Sequence, residues 1–475
     1  MNTLTFTGRD VPRAEIDWAD LVALDEHIEG SVLSPADPGW DDAVRVWNGM
    51  VAKRPAYVVQ PICSRDVAEA VDFARERGLL LGVKGGGHNI GGSAVPDGGL
   101  MIDLSRLRDV SVDPGRRLVH VSGGCLLQDV DRATQEHGLA TTLGFLSEVG
   151  VGGLATGGGF GYLARRFGWT VDNIEEVEIV TADGQVRVAN HDQDADLFWA
   201  VRGGGGNLGV VTRMTLRLHP VGPTVFGGLI AWPFEQAEEV ASTYRRLTEA
   251  APRELTTYLV VLNAPPAPFV PPQWHGRRVV AIPVCYSGDL SRTEEVLAPI
   301  RALGEPVFDV LQEWPYVVQQ SFLNDSEPKG DHYYWRTEFA SELSDEMLAA
   351  VREYGASCPC EEGQVLIAHI GGALNERAWD DGAVGNRDVR YVYGAAAHWA
   401  PGDPRADEYV AWTRAAGERL RSFSTGAAYV NFQTEEDDLA RLRATYGPNW
   451  ERLLEVKRRY DPGNLFRVNR NVVEA

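Results

Sequence analysis

Apolar and polar positions alternate in short runs along this chain, and the runs predict strands joined by helices. Residues 42–49 and 64–78 have helical apolar spacing, and the second stretch opens on a serine cap and ends in glycine. Residues 56–60 and 79–84 are short apolar runs that are typical of strands. Their order along the chain predicts a β-α-β unit.

Strand-like runs recur further along the chain, and one of them ends in a hairpin signal. Residues 182–184, Ala-Asp-Gly, follow the last of these runs and predict a tight turn. Residues 225–425 alternate strand and helix patterns, and the proline-rich stretch 264–272 within them predicts a surface loop. Residues 437–461 predict two helices divided by Gly447-Pro. The strand-like runs before residue 220 are 99–103, 118–122 and 177–181.

Length and composition limit the class of protein. With 475 residues, of which 44% are hydrophobic, the chain is expected to form two or three folded units. A net charge of −22 disfavours nucleic acids and anionic membranes as partners. The five scattered cysteines do not resemble a disulfide framework, and no signal-peptide or membrane-spanning apolar run occurs. We therefore expect a soluble, cytoplasmic protein without a structural metal.

Three glycine-rich segments carry the chemical signal. Consecutive glycines, as in residues 83–93, allow backbone N–H groups to approach a pyrophosphate closely, although turns also use glycine. Residues 149–161 are not followed by the acidic residue, about 20 positions on, that a Rossmann NAD site requires. A P-loop sequence is absent. Residues 196–212 contain four glycines in a row. Because glycine loses more backbone freedom on folding than other residues, such a run indicates either a ligand close to the backbone or a tight turn in the core.

These segments belong to a series of motifs that follow one another in a fixed order. The series is Arg54-Pro, the Gly-Gly-Gly-His88 loop, residues 152–161, residues 199–209 and the tail 460–471 (Tyr-Asp-Pro-Gly-Asn-Leu-Phe-Arg-Val-Asn-Arg-Asn). It resembles the FAD-linked oxidases of the vanillyl-alcohol-oxidase superfamily, with a PCMH-type FAD-binding domain. Within that superfamily it is similar to the branch of berberine bridge enzyme-like and 6-hydroxy-D-nicotine oxidase-like proteins. The resemblance covers nearly the whole chain.

The resemblance implies an α+β fold with three parts. Residues 1–220 would form the PCMH-type FAD-binding domain, built from two α/β subdomains. Residues 221–425 would form a substrate domain with an antiparallel sheet covered by helices. Residues 426–475 would be the berberine-bridge-like segment, whose end returns to the FAD domain.

The resemblance also implies FAD as cofactor, attached covalently through the 8α position of the flavin to His88. Many relatives have a second tether on a cysteine, but Leu146 stands there in this chain and has no nucleophile, so a single link is expected. The positions that match the family's FAD-binding residues are Lys84, Gly85, Gly86, Gly87, His88, Asn89, Ser93, Gly152, Gly153, Thr156, Gly157, Gly161, Asn469 and Asn471.

Two positions bear on reactivity with oxygen and on the catalytic base. Val149 matches the family's oxygen gate, where a small side chain favours an oxidase, although Val is also an ordinary core residue. Phe432 stands where plant relatives have a tyrosine base, so that base is absent here. The remaining candidates are His369, on the expected strand 364–372, and Tyr429 with Asn431, on a neighbouring strand. An imidazole has a suitable ordinary pKa, but a structural role for His369 is open as well.

We therefore expect an FAD-dependent oxidase that oxidises a small alcohol, amine or phenol with O₂ and releases H₂O₂. One alternative is an oxygenase or cyclase that tailors a natural-product intermediate on the same scaffold. A dehydrogenase using another electron acceptor is a second alternative. A flavin carrier without activity is a third, which Val149 and the covalent anchor disfavour.

Overall fold

The computed structural model describes residues 3–10 and 14–474. The first part of the chain builds a four-stranded sheet in the order β3-β4-β6-β5, in which β4, β6 and β5 run parallel. All four residues of β6 are buried, as expected for a strand covered on both faces. The elements are β1 (Thr3–Phe6), β2 (Ala14–Asp17), α1 (Trp18–His27), β3 (Ser31–Leu33), α2 (Trp40–Val44), β4 (Tyr57–Gln60), α3 (Ser64–Glu76), β5 (Leu81–Lys84) and β6 (Leu100–Asp103).

This sheet contains the β-α-β unit predicted from the sequence, formed by β4, α3 and β5. The helix α3 buries Val67, Ala70 and Val71 on one face, which matches its apolar spacing. Its N-cap position is Cys63 rather than the predicted Ser64, whose hydroxyl instead donates to Glu178 of the next subdomain.

The second subdomain is a five-stranded antiparallel sheet in the order β11-β10-β12-β8-β7. The predicted hairpin at residues 182–184 joins β10 to β11. The elements are β7 (Val110–Asp113), β8 (Leu118–Ser122), α4 (Leu127–Gln135), β9 (Leu139–Ala140), α5 (Val151–Thr156), α6 (Ala164–Phe167), β10 (Ile174–Val180), β11 (Val186–Asn190), α7 (Ala195–Val201), β12 (Val210–Arg217) and β13 (His219–Pro220).

A large antiparallel sheet with the strand order β17-β14-β16-β15-β20-β21-β19 dominates the next part of the chain, with β18 also pairing to β14. Helices α8, α9, α11 and α12 cover one face in a single apolar core. The elements are β14 (Thr224–Pro233), α8 (Ala237–Ala250), β15 (Leu255–Asn263), β16 (Arg278–Tyr286), α9 (Thr293–Arg301), β17 (Phe308–Asp309), β18 (Gln312–Pro315), α10 (Tyr316–Ser321), β19 (His332–Ala340), α11 (Asp345–Ser357), β20 (Gln364–His369), β21 (Tyr391–Trp399) and α12 (Ala406–Arg421).

The last part of the chain returns to the first two subdomains, as the resemblance implied. It contains the two predicted helices, α13 (Leu439–Tyr446) and α14 (Trp450–Tyr460). The buried Lys457 ammonium donates to the backbone carbonyls of Asn207 and Phe466, at 2.8 and 2.9 Å. The side-chain amide of Asn207 binds the tail twice: its Nδ2 donates to Arg470 O, and its Oδ1 accepts from Val472 N. The tail is thereby fastened to the four-glycine segment.

Candidate functional site

A cavity of about 880 Å³ lies between the glycine-rich loops and the open face of the large sheet. Strand alternation decides which sheet residues reach it, since successive side chains point to opposite faces. On β20, Gln364, Leu366 and Ala368 line the cavity. Val365 and Ile367 point into the core under the helices.

Some glycines of the loops are explained by protein packing alone. A Cβ on Gly86 would lie 2.4 Å from Gly150 N, and a Cβ on Gly150 would lie 2.2 Å from Gly86 N. The first and second glycine segments therefore pack backbone to backbone. Likewise, a Cβ on Gly157 would lie 2.1 Å from Asn431 Oδ1, and one on Gly161 would lie 2.1 Å from Leu143 O.

Packing does not explain the glycine at four other positions, although one of them, Gly205, has a left-handed φ of +64° that itself favours glycine. A Cβ on Gly153 or Gly205 would meet no heavy atom within 4 Å, and the nearest atoms to one on Gly85 or Gly206 are at ordinary contact distances of 3.5 and 3.7 Å. All four residues line the cavity. Bare backbone on an open wall lets a ligand approach peptide N–H groups closely. Asn469, on the same wall, has a buried Oδ1 without a hydrogen-bond partner. These residues fit a bound dinucleotide such as FAD.

His88 stands on this wall at the end of the first glycine loop. Its ring stacks on Trp47, with 4.4 Å between ring centroids and 17° between planes. Burial, with a smaller contribution from the Lys329 charge, lowers the pKa of His88 to about 4. The imidazole is therefore neutral near pH 7, which is the state required of a nitrogen nucleophile.

The other loop residues divide into those on the wall and those behind it. Asn89 lines the cavity and shapes its own loop, because its Oδ1 accepts from Gly91 N and Ser93 N at 3.1 and 3.2 Å. Of the sequence-predicted FAD-binding residues, those on the cavity wall are Gly85, Gly86, Gly87, His88, Asn89, Ser93, Gly152, Gly153, Thr156 and Asn469.

Four of the residues proposed from the sequence do not line the cavity. Gly157 and Gly161 lie behind the wall in the packing contacts described above. Asn471 follows the cavity-lining residues of the tail in the sequence and does not itself line the cavity. Lys84 is buried with its ammonium 3.2 Å from Asp103 Oδ1 and donates to Ala43 O at 2.5 Å. Its charge is satisfied inside the first subdomain, away from the cavity wall, so the structure offers no support for its expected contact with the cofactor.

The proposal of His369 as catalytic base is corrected by the alternation of β20. His369 is buried on the face opposite the cavity, where its Nε2 lies 2.6 Å from Arg165 Nη1. Burial, followed by the charges of Arg165 and Arg390, holds its pKa well below the ordinary value. A ring nitrogen that faces an arginine donor in the core cannot take a proton from a substrate.

Tyr429 and Asn431 do line the cavity, although Val430–Phe432 is a 3₁₀ turn and not the expected strand. The Tyr429 hydroxyl oxygen accepts from Gly159 N and from Asn431 Nδ2, both at 2.8 Å. Burial raises the pKa of Tyr429 above its ordinary value. Tyr429 is therefore suited to holding the turn in place and unsuited to accepting a proton at neutral pH.

Val149, Leu146 and Phe432 all line the cavity, so the three sequence-predicted positions share one chamber. Aromatic rings form much of its wall. Trp335 contacts Phe432 edge-on, with ring centroids 5.1 Å apart, and lies 5.7 Å from Trp47. Ligands that reach this wall meet apolar surface with few fixed charges.

Sequence reasoning missed the polar groups at one end of the cavity. Glu327, Glu362, Gln364 and His398 line this end, which we call the acidic end. Burial and the Glu362 charge raise the pKa of Glu327 to about 8. The sequence of β21 did contain a clue to this end of the cavity. Val392, Gly394 and Ala396 lie on the same face of the strand as His398, and their small side chains leave space for a ligand.

Within residues 3–10 and 14–474, no three His, Cys, Asp or Glu side chains converge where a metal ion could bind. Among the helices of the described residues, none is both long and apolar enough to cross a bilayer.

Comparison with known proteins assigns the site to a class. Residues 55–190 match the family model described as FAD binding domain, and residues 428–473 match berberine and berberine like. The chain is 30% identical over 458 residues to (R)-6-hydroxynicotine oxidase of Paenarthrobacter nicotinovorans, covering 94% of this chain and 97% of that protein. It is 29% identical over 452 residues to an FAD-linked oxidoreductase of Dictyostelium discoideum, covering 94% and 95%.

The fold agrees with these similarities. The crystal structure of 6-hydroxy-D-nicotine oxidase from Arthrobacter nicotinovorans superposes with a TM-score of 0.83 at 26% identity, over 94% of this chain and 98% of that one. Fold and cavity thus define an FAD-dependent oxidoreductase. The chain belongs to the berberine bridge enzyme-like family within the vanillyl-alcohol-oxidase superfamily.

Proposed function

We propose that this protein is an oxidase that holds FAD covalently through His88 and oxidises a small, largely apolar alcohol, amine or phenol. O₂ is the electron acceptor and H₂O₂ the second product. The observation that carries the proposal is the neutral His88 imidazole on a cavity wall of bare glycine backbone. We also propose a cytoplasmic location. The five cysteines are free, as expected in a reducing compartment.

Each wall has a distinct task in this proposal. The bound flavin supplies hydride acceptance and electron transfer to O₂. Gly85, Gly153 and Gly205 offer backbone to the cofactor, and His88 holds it in one position. Val149 keeps a small side chain on the chamber wall, which favours access of O₂.

The aromatic wall and the sheet face select and orient the substrate. Trp335, Phe432 and Leu366 exclude water from an apolar substrate body. Only a few polar groups are available to fix its reacting end. The bacterial relative is named for (R)-6-hydroxynicotine, so this compound belongs in the first substrate panel with simpler aromatic alcohols and amines.

Acid precipitation of the purified holoenzyme tests the covalent link. We expect a yellow pellet from the unchanged protein and a colourless pellet from His88→Ala, because alanine lacks the nucleophilic nitrogen. His137→Ala, which changes an exposed histidine, should keep the yellow pellet. Release of all flavin from the unchanged protein into the supernatant would show that FAD is held without a bond.

Oxygen uptake with the substrate panel then tests the oxidase reaction. Stoichiometric H₂O₂ with no ¹⁸O from labelled O₂ in the product supports an oxidase. Label in the product would instead indicate an oxygenase that tailors its substrate. Flavin reduction by substrate without reoxidation by air would indicate a dehydrogenase.

A further inference from the structure

His398 is the imidazole that strand alternation brings into the cavity. It lies on β21 opposite Tyr333 of β19, and its ring stacks on the Tyr333 ring with 4.9 Å between centroids. Tyr333 stacks in turn on Trp47, with 3.7 Å between centroids, and Trp47 stacks on His88. His398 and the proposed flavin anchor thus stand at opposite ends of one aromatic stack.

The two ring nitrogens of His398 have different surroundings. Nδ1 is buried without a hydrogen-bond partner and lies 3.5 Å from Asp331 Oδ2. Nε2 lies 4.0 Å from Oε2 of Glu362, a cavity-lining residue. Carboxylates face both nitrogens, and the nearer one, Asp331 at Nδ1, favours the tautomer with the proton on Nδ1 and the lone pair on Nε2.

We propose that His398 is the general base of the oxidation and that Asp331 positions it. This proposal rests on the proposed oxidase function. The substrate loses a hydride, with both electrons, from carbon to the flavin. It loses a proton from its oxygen or nitrogen to Nε2 of His398, and a C=O or C=N bond forms. The electron pair and two protons then reach O₂ and yield H₂O₂.

Three other groups on the cavity wall, Glu327, Tyr429 and Gln364, are less suited to this task. At a pKa of about 8, Glu327 is mainly protonated near pH 7 and cannot readily accept a further proton. Tyr429 accepts two hydrogen bonds and has a raised pKa. Gln364 does not titrate. His398 alone among these four is a neutral, unprotonated base near pH 7.

The protonation of His398 is set by opposing effects. Burial lowers its pKa, whereas the charges of Glu362 and Asp331 raise it, and burial is the largest of these effects. The base is therefore available at neutral pH and is lost as the pH falls through its lowered pKa. We expect the rate of flavin reduction to decline on the acid side for this reason.

Stopped-flow reduction of the flavin by an active member of the panel tests the role in catalysis. His398→Gln should slow reduction by about 100-fold or more and abolish the acid limb of the pH profile. Added imidazole should partly restore the rate of His398→Ala. Flavin content and reoxidation by O₂ should stay unchanged in both variants, which separates this proposal from the proposed function. His332→Gln, on β19 outside the cavity wall, is the matched control.

NMR of the holoenzyme labelled with ¹⁵N-histidine tests the proposal without any substrate. We expect one imidazole signal, missing in His398→Gln, to show the Nδ1–H tautomer and to titrate below the ordinary histidine pKa. Asp331→Asn should shift its tautomer balance. Unchanged flavin reduction in His398→Gln, or a His398 ring that carries its proton on Nε2, would overturn the proposal.

Discussion

At the scale of single residues, glycine has two separate functions in this cavity. Gly157 has no side chain because the Asn431 amide occupies the adjacent space, where a Cβ would lie 2.1 Å from Oδ1. Gly153 has open space instead, although it sits inside helix α5, where alanine would form helix more readily. The first glycine serves packing, and we attribute the second to the approach of the cofactor.

This difference predicts opposite effects for two alanine substitutions. Gly157→Ala should destabilise the protein by about 1–3 kcal/mol, because the Asn431 side chain and its turn must move. Gly153→Ala should stabilise the protein fold by about 0.5–1 kcal/mol, yet lower the flavin content per chain. Thermal melting and the ratio of flavin to protein absorbance measure the two effects. Equal flavin content in Gly153→Ala and the unchanged protein would contradict the assignment.

The sequence alone was enough to identify the loop residues because they are neighbours along the chain. The Gly-Gly-Gly-His88 loop is continuous in the chain, so its motif could be recognised before any fold was known. The proposed base, His398, could not be found in this way. His369 and His398 both lie on strands, and which face of each strand meets the cavity depends on how the sheet packs against the rest of the protein.

At the scale of elements, a two-stranded sheet of β9 and β13 lies just before the large sheet in the chain. Strand β13 pairs with β9, and its His219 stacks on Phe167 with 4.0 Å between ring centroids. Nε2 of His219 lies 2.7 Å from Asn173 Oδ1. Burial, with the charges of nearby arginines, lowers the pKa of His219 to about 4. This element therefore contains a histidine that stays neutral in the folded protein.

The lowered pKa of His219 predicts a pH dependence of stability. Between pH 6.5 and about 4 the unfolded chain takes up a proton that the folded protein does not, so stability is lost as the pH falls. Uptake of one proton limits the slope to ~1.4 kcal/mol per pH unit, and solvent around the half-buried ring makes it smaller. Urea unfolding of the holoenzyme at several pH values should show a shallower slope for His219→Gln. Identical slopes for the two proteins would rule out this contribution.

At the scale of the whole molecule, two folded parts meet around the cavity and polar contacts cross between them. Asp172 of the second subdomain accepts from Arg387 of the substrate part through both carboxylate oxygens, at 2.8 and 3.1 Å. Both side chains are buried. The chain order of the parts was predictable from motif order and strand patterns. This contact was not, because residues 172 and 387 are far apart in sequence.

Breaking this ion pair should be costly because one charge would be left buried. Arg387→Met should reduce the stability of the holoenzyme by about 3–5 kcal/mol, and the double variant with Asp172→Asn should lose less than the sum of the single changes. Arg292→Met, which removes an exposed ion pair with Glu295, should cost less than about 1 kcal/mol. Thermal melting compares the variants, and additive single changes would show that the two residues act independently.

The tail that Asn207 and Lys457 fasten in place has a consequence for how the enzyme is made. Phe466, Val468, Asn469 and Arg470 come after every other wall of the cavity in chain order. During synthesis these residues leave the ribosome after the other residues of the cavity wall. The wall of the cavity is therefore complete only after these residues have emerged. A chain that ends before residue 465 would lose the buried Leu465 and Phe466 of the first core as well as these wall residues, so we expect it to be less stable and to hold less FAD.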